Sequence, residues 1–295
     1  MNFQEYQKQA LITDQVPSKK YGEHLIEKIV PLLGLAGEAG ELLSEYKKHL
    51  RDGPAHKLFK ERVEEELGDM LWYIANLASK FELSLSTIAE RNLSKVQERF
   101  VTNRANSGSH YFDSGFPELE RLPRQFEISI KQIEDKGSHL VQSLFNGEQI
   151  GSNLTDNSHD PDGYRFHDVF HFAHAAVLGW SPVTRSILKL KRKSNPKIDE
   201  VEDGGRAIAI EEGVTALIFS YAESHGFFKD ISELDYSLLK TIVYLTARLE
   251  VRACSTGDWE KAIFMGYKVW RQVYESNGGK VIGDMDNQTL DFRKL

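Results

Sequence analysis

The chain has 295 residues, of which 40% are hydrophobic and 27% charged, a composition typical of a folded protein with about two domains. Its single cysteine excludes a disulfide framework and a thiolate zinc site. The net charge of −7 argues against general binding of nucleic acid, and because no apolar run resembles a bilayer span or a signal peptide we expect a cytoplasmic protein without a membrane partner.

Residues 1–100 carry apolar side chains three and four positions apart, which predicts four helices joined by short links. Gly53 and Pro54 are expected to end the second helix. Ser84 or Ser86 is expected to cap the last helix. Since helices with short links pack against one another, we predict an N-terminal four-helix bundle over residues 1–100.

The remaining residues predict a linker and a second domain. Residues 101–125 are rich in Asn, Ser, Gly and Pro, as a linker is. Residues 126–133 alternate like a β-strand, and Asp135-Lys136-Gly137 would turn the chain into a second strand. Helical spacing returns at 164–179, 204–225, 235–253 and 257–276. The predicted fold class is therefore all-α, with residues 126–295 forming a mainly helical domain that contains a small β-hairpin and has an uncertain role.

Two pairs of acidic residues carry the most specific chemical signal. Glu38 and Glu41 lie on the second predicted helix, and Glu66 and Asp69 lie on the third. The i, i+3 spacing places both carboxylates of a pair on one face of a helix, at the border of its apolar stripe. Four carboxylates between neighbouring helices repel one another unless a cation neutralises them, and oxygen ligands favour Mg²⁺ or Mn²⁺.

The alternative interpretation is that each acidic pair lies on an ordinary solvated helix face, which is the usual case for one pair taken alone. Two pairs on adjacent helices, each accompanied by glycine, favour the metal site. The glycines cost about 1 kcal/mol each in a helix, and we expect them to allow a helix or a ligand to approach closely. They are Gly34, Gly37, Gly40 and Gly68.

A row of polar and cationic side chains follows on the fourth predicted helix. Asn92, Lys95 and Arg99 share one stripe at i, i+3 and i+7. An amide, an ammonium and a guanidinium in a row suit phosphate oxygens. The alternative is a surface row of salt bridges, which is the better interpretation of this row by itself.

These three motifs together resemble the MazG-like, all-α nucleoside triphosphate pyrophosphohydrolases. The resemblance covers residues 1–100 and rests on ExxE at 38–41, ExxD at 66–69 and Asn92-Leu-Ser-Lys95-Val-Gln-Glu-Arg99. It implies that an NTP or dNTP is hydrolysed to the monophosphate and pyrophosphate. It also implies a homo-oligomer, a dimer or a tetramer, that completes the site between subunits.

The resemblance also implies residue roles. The four acids would hold Mg²⁺, or alternatively Mn²⁺, and act in catalysis: Glu38, Glu41, Glu66 and Asp69. The phosphate chain would be held by Asn92, Lys95 and Arg99, with Lys48, or alternatively Lys47, adding positive charge. Phe3, Tyr6 and Trp72 are candidates for stacking on the base, although Phe3 and Tyr6 also fit an ordinary amphipathic helix.

The C-terminal half contains a second polar cluster. His167, His171 and His174 share one helical stripe, and Glu211 and Glu212 follow downstream. Imidazoles with nearby carboxylates suit Zn²⁺, Mn²⁺ or iron, whereas histidines that cap, hydrogen-bond or pack are the more frequent arrangement. This half resembles a C-terminal region attached to some MazG-like proteins, and its paired acidic helices suggest a diverged second copy of the bundle.

The sequence leaves three functions open. The first is the Mg²⁺-dependent nucleotide pyrophosphohydrolase. The second is a nucleotide-binding sensor or interaction protein with an inactive pocket. The third is a metal phosphohydrolase of the HD type, because His167 and Asp168 resemble the doublet of that family.

Overall fold

The computed structural model describes residues 1–15, 24–100, 110–135 and 138–295. The side chains of Lys95 and Arg99 lie outside the described residues. The chain forms two compact units, Met1–Gln97 and Glu98–Leu295. No described helix is both long enough and apolar enough to cross a membrane.

The first unit is helical throughout its regular elements, as predicted. It contains α1 (Phe3–Ile12), α2 (His24–Asp52), α3 (Phe59–Lys80) and α4 (Leu85–Phe100). A 3₁₀ turn at Gly53–Ala55 follows α2 where glycine and proline predicted a break. The predicted cap of α4 is Ser84, whose Oγ accepts a hydrogen bond of 3.3 Å from the Thr87 amide.

Side-chain hydrogen bonds fix α1 against the turn between α3 and α4. The Gln7 amide nitrogen donates to the carbonyl of Leu83 at 2.8 Å, and its oxygen accepts from the Leu85 amide at 2.8 Å. The apolar cluster beneath is small, because its buried members are mostly alanines: Ala10, Ala75, Ala78 and Leu85. Many apolar side chains of this unit are therefore exposed rather than buried in its core.

The second unit contains a five-stranded antiparallel sheet. The strands are β1 (Gln125–Asp135), β2 (Ser138–Phe145), β3 (Glu148–Leu154), β4 (Gly278–Asp284) and β5 (Thr289–Arg293), in the order β3-β2-β1-β4-β5. The chain is mainly helical, as predicted, but all-α is imprecise for this unit, because β1 and β2 form the predicted hairpin and three further strands extend it. The described residues of the first unit contain no strand, which argues against a diverged second copy of the bundle.

The helices of the second unit lie in the middle of its sequence, between β3 and β4. They are α5 (Asp168–Ala173), α6 (Pro182–Ile187), α7 (Pro196–Val201), α8 (Gly205–Glu223), α9 (Tyr236–Thr246) and α10 (Thr256–Glu275). A π-helical turn, His174–Leu178, continues α5. A single apolar core joins the sheet to the helices, and it includes Ile128 and Ile130 of β1 and Trp259 and Trp270 of α10.

Part of the predicted linker belongs to the second unit. Residues 101–109 lie outside the described residues, whereas 110–124 contain buried side chains. Asp113 is 1% exposed; it accepts hydrogen bonds from Arg124 at 2.7 Å and from Arg185 at 2.6 Å. A buried carboxylate needs such partners, so this ion cluster holds the segment in place.

Candidate active site

The packing of α2 against α3 brings carboxylates from both helices together. Glu38 lies on α2, and Glu66 and Asp69 lie one turn apart on α3. One carboxylate oxygen from each of the three lies within 4.8 Å of the other two. Glu41 is exposed and is outside this group of converging oxygens. The structure therefore joins three of the four predicted acids.

Glu38, Glu66 and Asp69, which we call the acidic group, bring three carboxylates of like charge close together. Burial raises the pKa of Glu66, and the Glu38 carboxylate and the charge of Glu41 raise it further. Arg62, one turn earlier on α3, donates to Glu65 at 2.7 Å rather than to the group. Among the described side chains, no lysine or arginine forms a salt bridge with Glu38, Glu66 or Asp69.

A divalent cation fits this arrangement. Mg²⁺ binds oxygen ligands at about 2.1 Å, so two oxygens on opposite sides of the ion lie about 4.2 Å apart. Small side-chain rotations would close the three carboxylates of Glu38, Glu66 and Asp69 around one ion. Carboxylate oxygens without nitrogen or sulfur donors favour Mg²⁺ or Mn²⁺ over softer metals. The carboxylate ligands and the distances between their oxygens therefore both favour a hard cation.

Comparison with known proteins identifies the family. The family model of the MazG nucleotide pyrophosphohydrolase domain matches residues 29–101. That of the MazG C-terminal domain matches residues 107–295, more than half of the chain. The chain belongs to the MazG family. Membership confirms the resemblance seen in the sequence motifs.

A curated relative matches part of this MazG protein. The Gene 37 protein of Mycobacterium phage L5 is 45% identical to it over 69 residues, which is 23% of the chain. The chain spans about 60% of the length of that relative. No solved structure matches the chain.

Of the glycines in the MazG domain motifs, Gly34 makes a close contact. A Cβ atom on Gly34 would lie 2.3 Å from the ring of Tyr73, which is the residue four positions after Asp69. The expected close approach at Gly37, Gly40 and Gly68 is absent within the described residues, since nothing lies within 4 Å of a Cβ at any of them.

The structure places Lys48 next to a carboxylate that the motif analysis missed. Glu45 is 6% exposed and contacts the ammonium group of Lys48 and His56 Nε2, the latter at 2.9 Å. The hydrogen bond from Lys48 is the main cause that lowers the pKa of Glu45. Glu45 follows Glu41 by four residues, so helical spacing was the signal that could have found it.

A second missed residue is Asn76 on α3. It is fully buried, and neither atom of its amide finds a hydrogen-bond partner within the described residues. A buried amide left unpaired costs about 1–3 kcal/mol. A polar residue inside the apolar stretch Ile74-Ala-Asn-Leu-Ala78 was the signal in the sequence.

The other predicted substrate residues differ in their exposure and contacts. Asn92 is exposed on α4, and the predictions for Lys95 and Arg99 concern side chains outside the described residues. Tyr6 and Trp72 pack against the alanine-rich core, and Trp72 donates to Thr13 Oγ1 at 2.8 Å. These contacts make Tyr6 and Trp72 structural in the chain as described, whereas Phe3 is 47% exposed.

In the MazG C-terminal domain, the three histidines of the predicted stripe do not share one metal position. His171 Nδ1 and His174 Nδ1 each lie 3.0 Å from Glu211 Oε1. Burial opposes ionisation of Glu211, but the two histidines lower its pKa to about 2. The Asp168 carboxylate accepts a hydrogen bond from Ser143 at 3.1 Å. Two overlapping sets of atoms do converge: one belongs to His171, His174 and Glu211, and the other to His167, His171 and Glu212.

Proposed function

We propose that this MazG protein is a Mg²⁺-dependent hydrolase that converts an NTP or dNTP to the monophosphate and pyrophosphate. The observation that carries the proposal is the convergence of Glu38, Glu66 and Asp69 across two helices. Like charges at this distance destabilise the empty site, and a divalent cation with a triphosphate reverses that effect. Membership of the MazG family supports the same reaction class.

In the proposed reaction, water adds across the α–β phosphoanhydride bond, and the proton it loses passes to a carboxylate or to solvent. A bound Mg²⁺ would neutralise charge on the bridging oxygen and lower the pKa of a bound water. Glu38, Glu66 and Asp69 would hold the ion and would thereby fix the position of the triphosphate. Hydrolysis in H₂¹⁸O reports which phosphorus is attacked, because that atom takes up the label.

The phosphate chain needs cationic and amide partners besides the metal. By the family resemblance these are Asn92, Lys95 and Arg99 of α4, with Lys48 of α2. Asn92 is exposed and available to a ligand. Lys48 is 43% exposed at its side chain even while it contacts Glu45, so its ammonium group is accessible to phosphate.

The active assembly is, in this proposal, a homo-oligomer in which a second copy covers α2. Apolar side chains follow the i, i+3/4 spacing along one side of this helix, among them Leu33 (68% exposed), Leu43 (71%) and Leu50 (72%). Gly40 lies in the same stripe with open space above it. A stripe of this kind, with a glycine that permits close approach, is typical of a helix that packs on another helix.

The test is pyrophosphate release by the purified full-length chain over a panel of NTPs and dNTPs with Mg²⁺ or Mn²⁺. We expect turnover of at least one nucleotide, and loss of turnover in Glu38→Gln and Asp69→Asn. Glu64→Gln is the matched control, because Glu64 is an exposed acid on the same helix. Normal turnover in Glu38→Gln or Asp69→Asn would contradict the site assignment.

The same panel tests the alternative function, a nucleotide-binding sensor or interaction protein. Tight binding of a nucleotide without pyrophosphate release from any member of the panel would favour the sensor and overturn the enzyme.

A further inference from the structure

Two histidines and a glutamate of the C-terminal domain bring three possible metal-ligand atoms close together. A ligand atom from each of His167, His171 and Glu212 lies within 4.8 Å of the other two. His167 directly precedes α5 and His171 lies one turn later on it, while Glu212 lies on α8. Two elements distant in sequence thus supply a compact set of two nitrogens and one oxygen.

Hydrogen bonds made by the Nδ1 atoms orient both imidazoles. His167 Nδ1 lies 2.9 Å from the carbonyl oxygen of Tyr164, and the Tyr164 ring stacks on the His167 ring at 4.5 Å. His171 Nδ1 lies 3.0 Å from Glu211 Oε1. A carbonyl or carboxylate oxygen accepts a hydrogen bond from Nδ1–H, and in the neutral imidazole this leaves Nε2 with its lone pair. Both Nε2 atoms are therefore set up as ligands.

The second, independent observation is a buried imidazole nitrogen that makes no hydrogen bond with the part of the chain that the structure describes. His171 is fully buried, and its Nε2 has no hydrogen-bond partner among the described residues. The Glu212 oxygen nearest to it lies 3.4 Å away. Buried polar atoms are normally hydrogen-bonded, whereas among the described side chains His171 Nε2 has only the longer ion-pair contact with Glu212, so an ion bound by both groups would satisfy it.

Glu211 acts as the support of this set rather than as a member. It is fully buried, and its carboxylate faces four donor groups at 2.8–3.0 Å: His171 Nδ1, His174 Nδ1, Ser181 Oγ and the Val183 amide. These donors leave no free lone-pair direction for an ion at Oε1. A carboxylate that fixes a ligating histidine through its other nitrogen is the usual outer shell of a metal site.

We propose that His167, His171 and Glu212 bind a divalent transition-metal ion of the zinc or iron(II) class. Two imidazole nitrogens with one carboxylate oxygen suit such ions better than Mg²⁺, which prefers oxygen alone. Glu212 is 40% exposed at its side chain, whereas His171 is buried, so the set opens to solvent on the glutamate side. Three protein ligands leave coordination positions for water or for an oxygen of a small ligand.

The competing interpretation is a metal-free cluster in which His171 carries a proton on both nitrogens and bridges Glu211 and Glu212. That arrangement does not involve His167, although a ligand atom of this residue also lies within 4.8 Å of the other two. It agrees with the 3.4 Å ion pair between His171 Nε2 and Glu212, and with the pKa of His171, which burial lowers but Glu211 and Glu212 raise to about 10. The experiment separates the two interpretations.

The test is Co²⁺ binding to the chelator-treated full-length chain in excess Mg²⁺, which saturates oxygen-only sites. We expect one Co²⁺ per chain with a visible d–d band, displaced by Zn²⁺. Glu212→Gln and His167→Asn should weaken Co²⁺ binding at least about a hundredfold, and Glu211→Gln about tenfold to a hundredfold. Circular dichroism checks that each variant is folded.

Two matched variants complete the design. Glu223→Gln makes the same substitution at an exposed position of α8 and should bind Co²⁺ like the wild type. Asp69→Asn, in the first unit, should also keep the band. Absence of Co²⁺ and Zn²⁺ binding by the wild type, or unchanged binding by folded Glu212→Gln, would overturn the proposal in favour of the metal-free cluster.

Discussion

Gly34 of α2 lies directly against the ring of Tyr73 of α3, at a contact where a Cβ atom would be 2.3 Å from the ring. Each residue is four positions from an acid of the converging group, Gly34 from Glu38 and Tyr73 from Asp69. The contact therefore sets the separation of the two helices where the carboxylates meet.

We expect Gly34→Ala to displace Tyr73 and to spread the acidic group. Overpacking costs about 1–3 kcal/mol, against which alanine recovers about 1 kcal/mol of helix propensity. Misplacement of catalytic groups by about 1 Å costs up to about a hundredfold in rate, so pyrophosphate release should fall about tenfold to a hundredfold. Gly37→Ala is the control for stability, because nothing lies within 4 Å of its Cβ position. Equal activity of Gly34→Ala and wild type would show that the contact does not position the acids.

Metal binding by the acidic group should be visible in thermal unfolding. An ion at a hundred times its Kd stabilises the folded state by about 2.7 kcal/mol, so Mg²⁺ should raise the unfolding midpoint of the wild type. Glu66→Gln should abolish that rise without lowering the midpoint in the absence of Mg²⁺, because burial and Glu38 already disfavour the charged form of Glu66. Glu64→Gln should respond to Mg²⁺ like the wild type.

The N-terminal helices and the acidic motifs were predictable because they depend on local spacing. Apolar residues that recur every 3.6 residues identify α2 and α3, and the i, i+3 spacing of the acids places both members of each pair on one face of their helix. That Glu41 stays outside the converging oxygens depends on the rotation of α2 relative to α3, which no local pattern contains. The same limit applies to Glu212, because its approach to His171 depends on the packing of α5 against α8.

The sequence predicted two of the five strands of the sheet, and the other strands were missed for a different physical reason. β3 contains Gly151, Ser152 and Asn153, which resemble a loop, and β4 begins with Gly278 and Gly279. Glycine weakens an isolated strand, but the two glycines of β4 are held in the sheet because β4 pairs with β1 along its length. A Cβ on Gly279 would lie 2.2 Å from the Phe292 ring of β5, so glycine is required by a contact that only the folded sheet reveals.

The apolar stripe of α2 predicts an oligomer that a charge should disrupt. The wild-type mass in multi-angle light scattering should be a multiple of 33.6 kDa. Leu43→Glu places a carboxylate at a 71% exposed leucine, and it should shift the mass toward the single chain because burying an unpaired charge is costly. Leu119→Glu is the matched control in the second unit, where the leucine is 85% exposed. A single-chain mass for the wild type would refute the proposed assembly.

The ion cluster around Asp113 predicts a specific dependence of stability on pH. Burial opposes ionisation of Asp113, but hydrogen bonds from Arg124 and the Leu122 amide, together with the charge of Arg185, hold its pKa below the usual value. A carboxyl whose pKa is lower in the folded state stabilises the fold above its unfolded pKa of about 3.9, and this contribution is lost as the pH falls through the folded value. Asp113→Asn should therefore cost about 3–5 kcal/mol at pH 7, since it removes the carboxylate closest to the buried guanidinium of Arg185.

Urea unfolding of wild type and Asp113→Asn at a series of pH values measures this contribution. The difference in the free energy of unfolding of the second unit should stay constant from pH 7 to about pH 5 and shrink below about pH 4, where the wild-type carboxyl takes up a proton. Glu118→Gln, an exposed acid in the same segment, should change stability by less than about 0.5 kcal/mol at any of these pH values. A difference that grew as the pH fell would mean that Asp113 is stabilised in its protonated form, contrary to its contacts with two guanidinium groups.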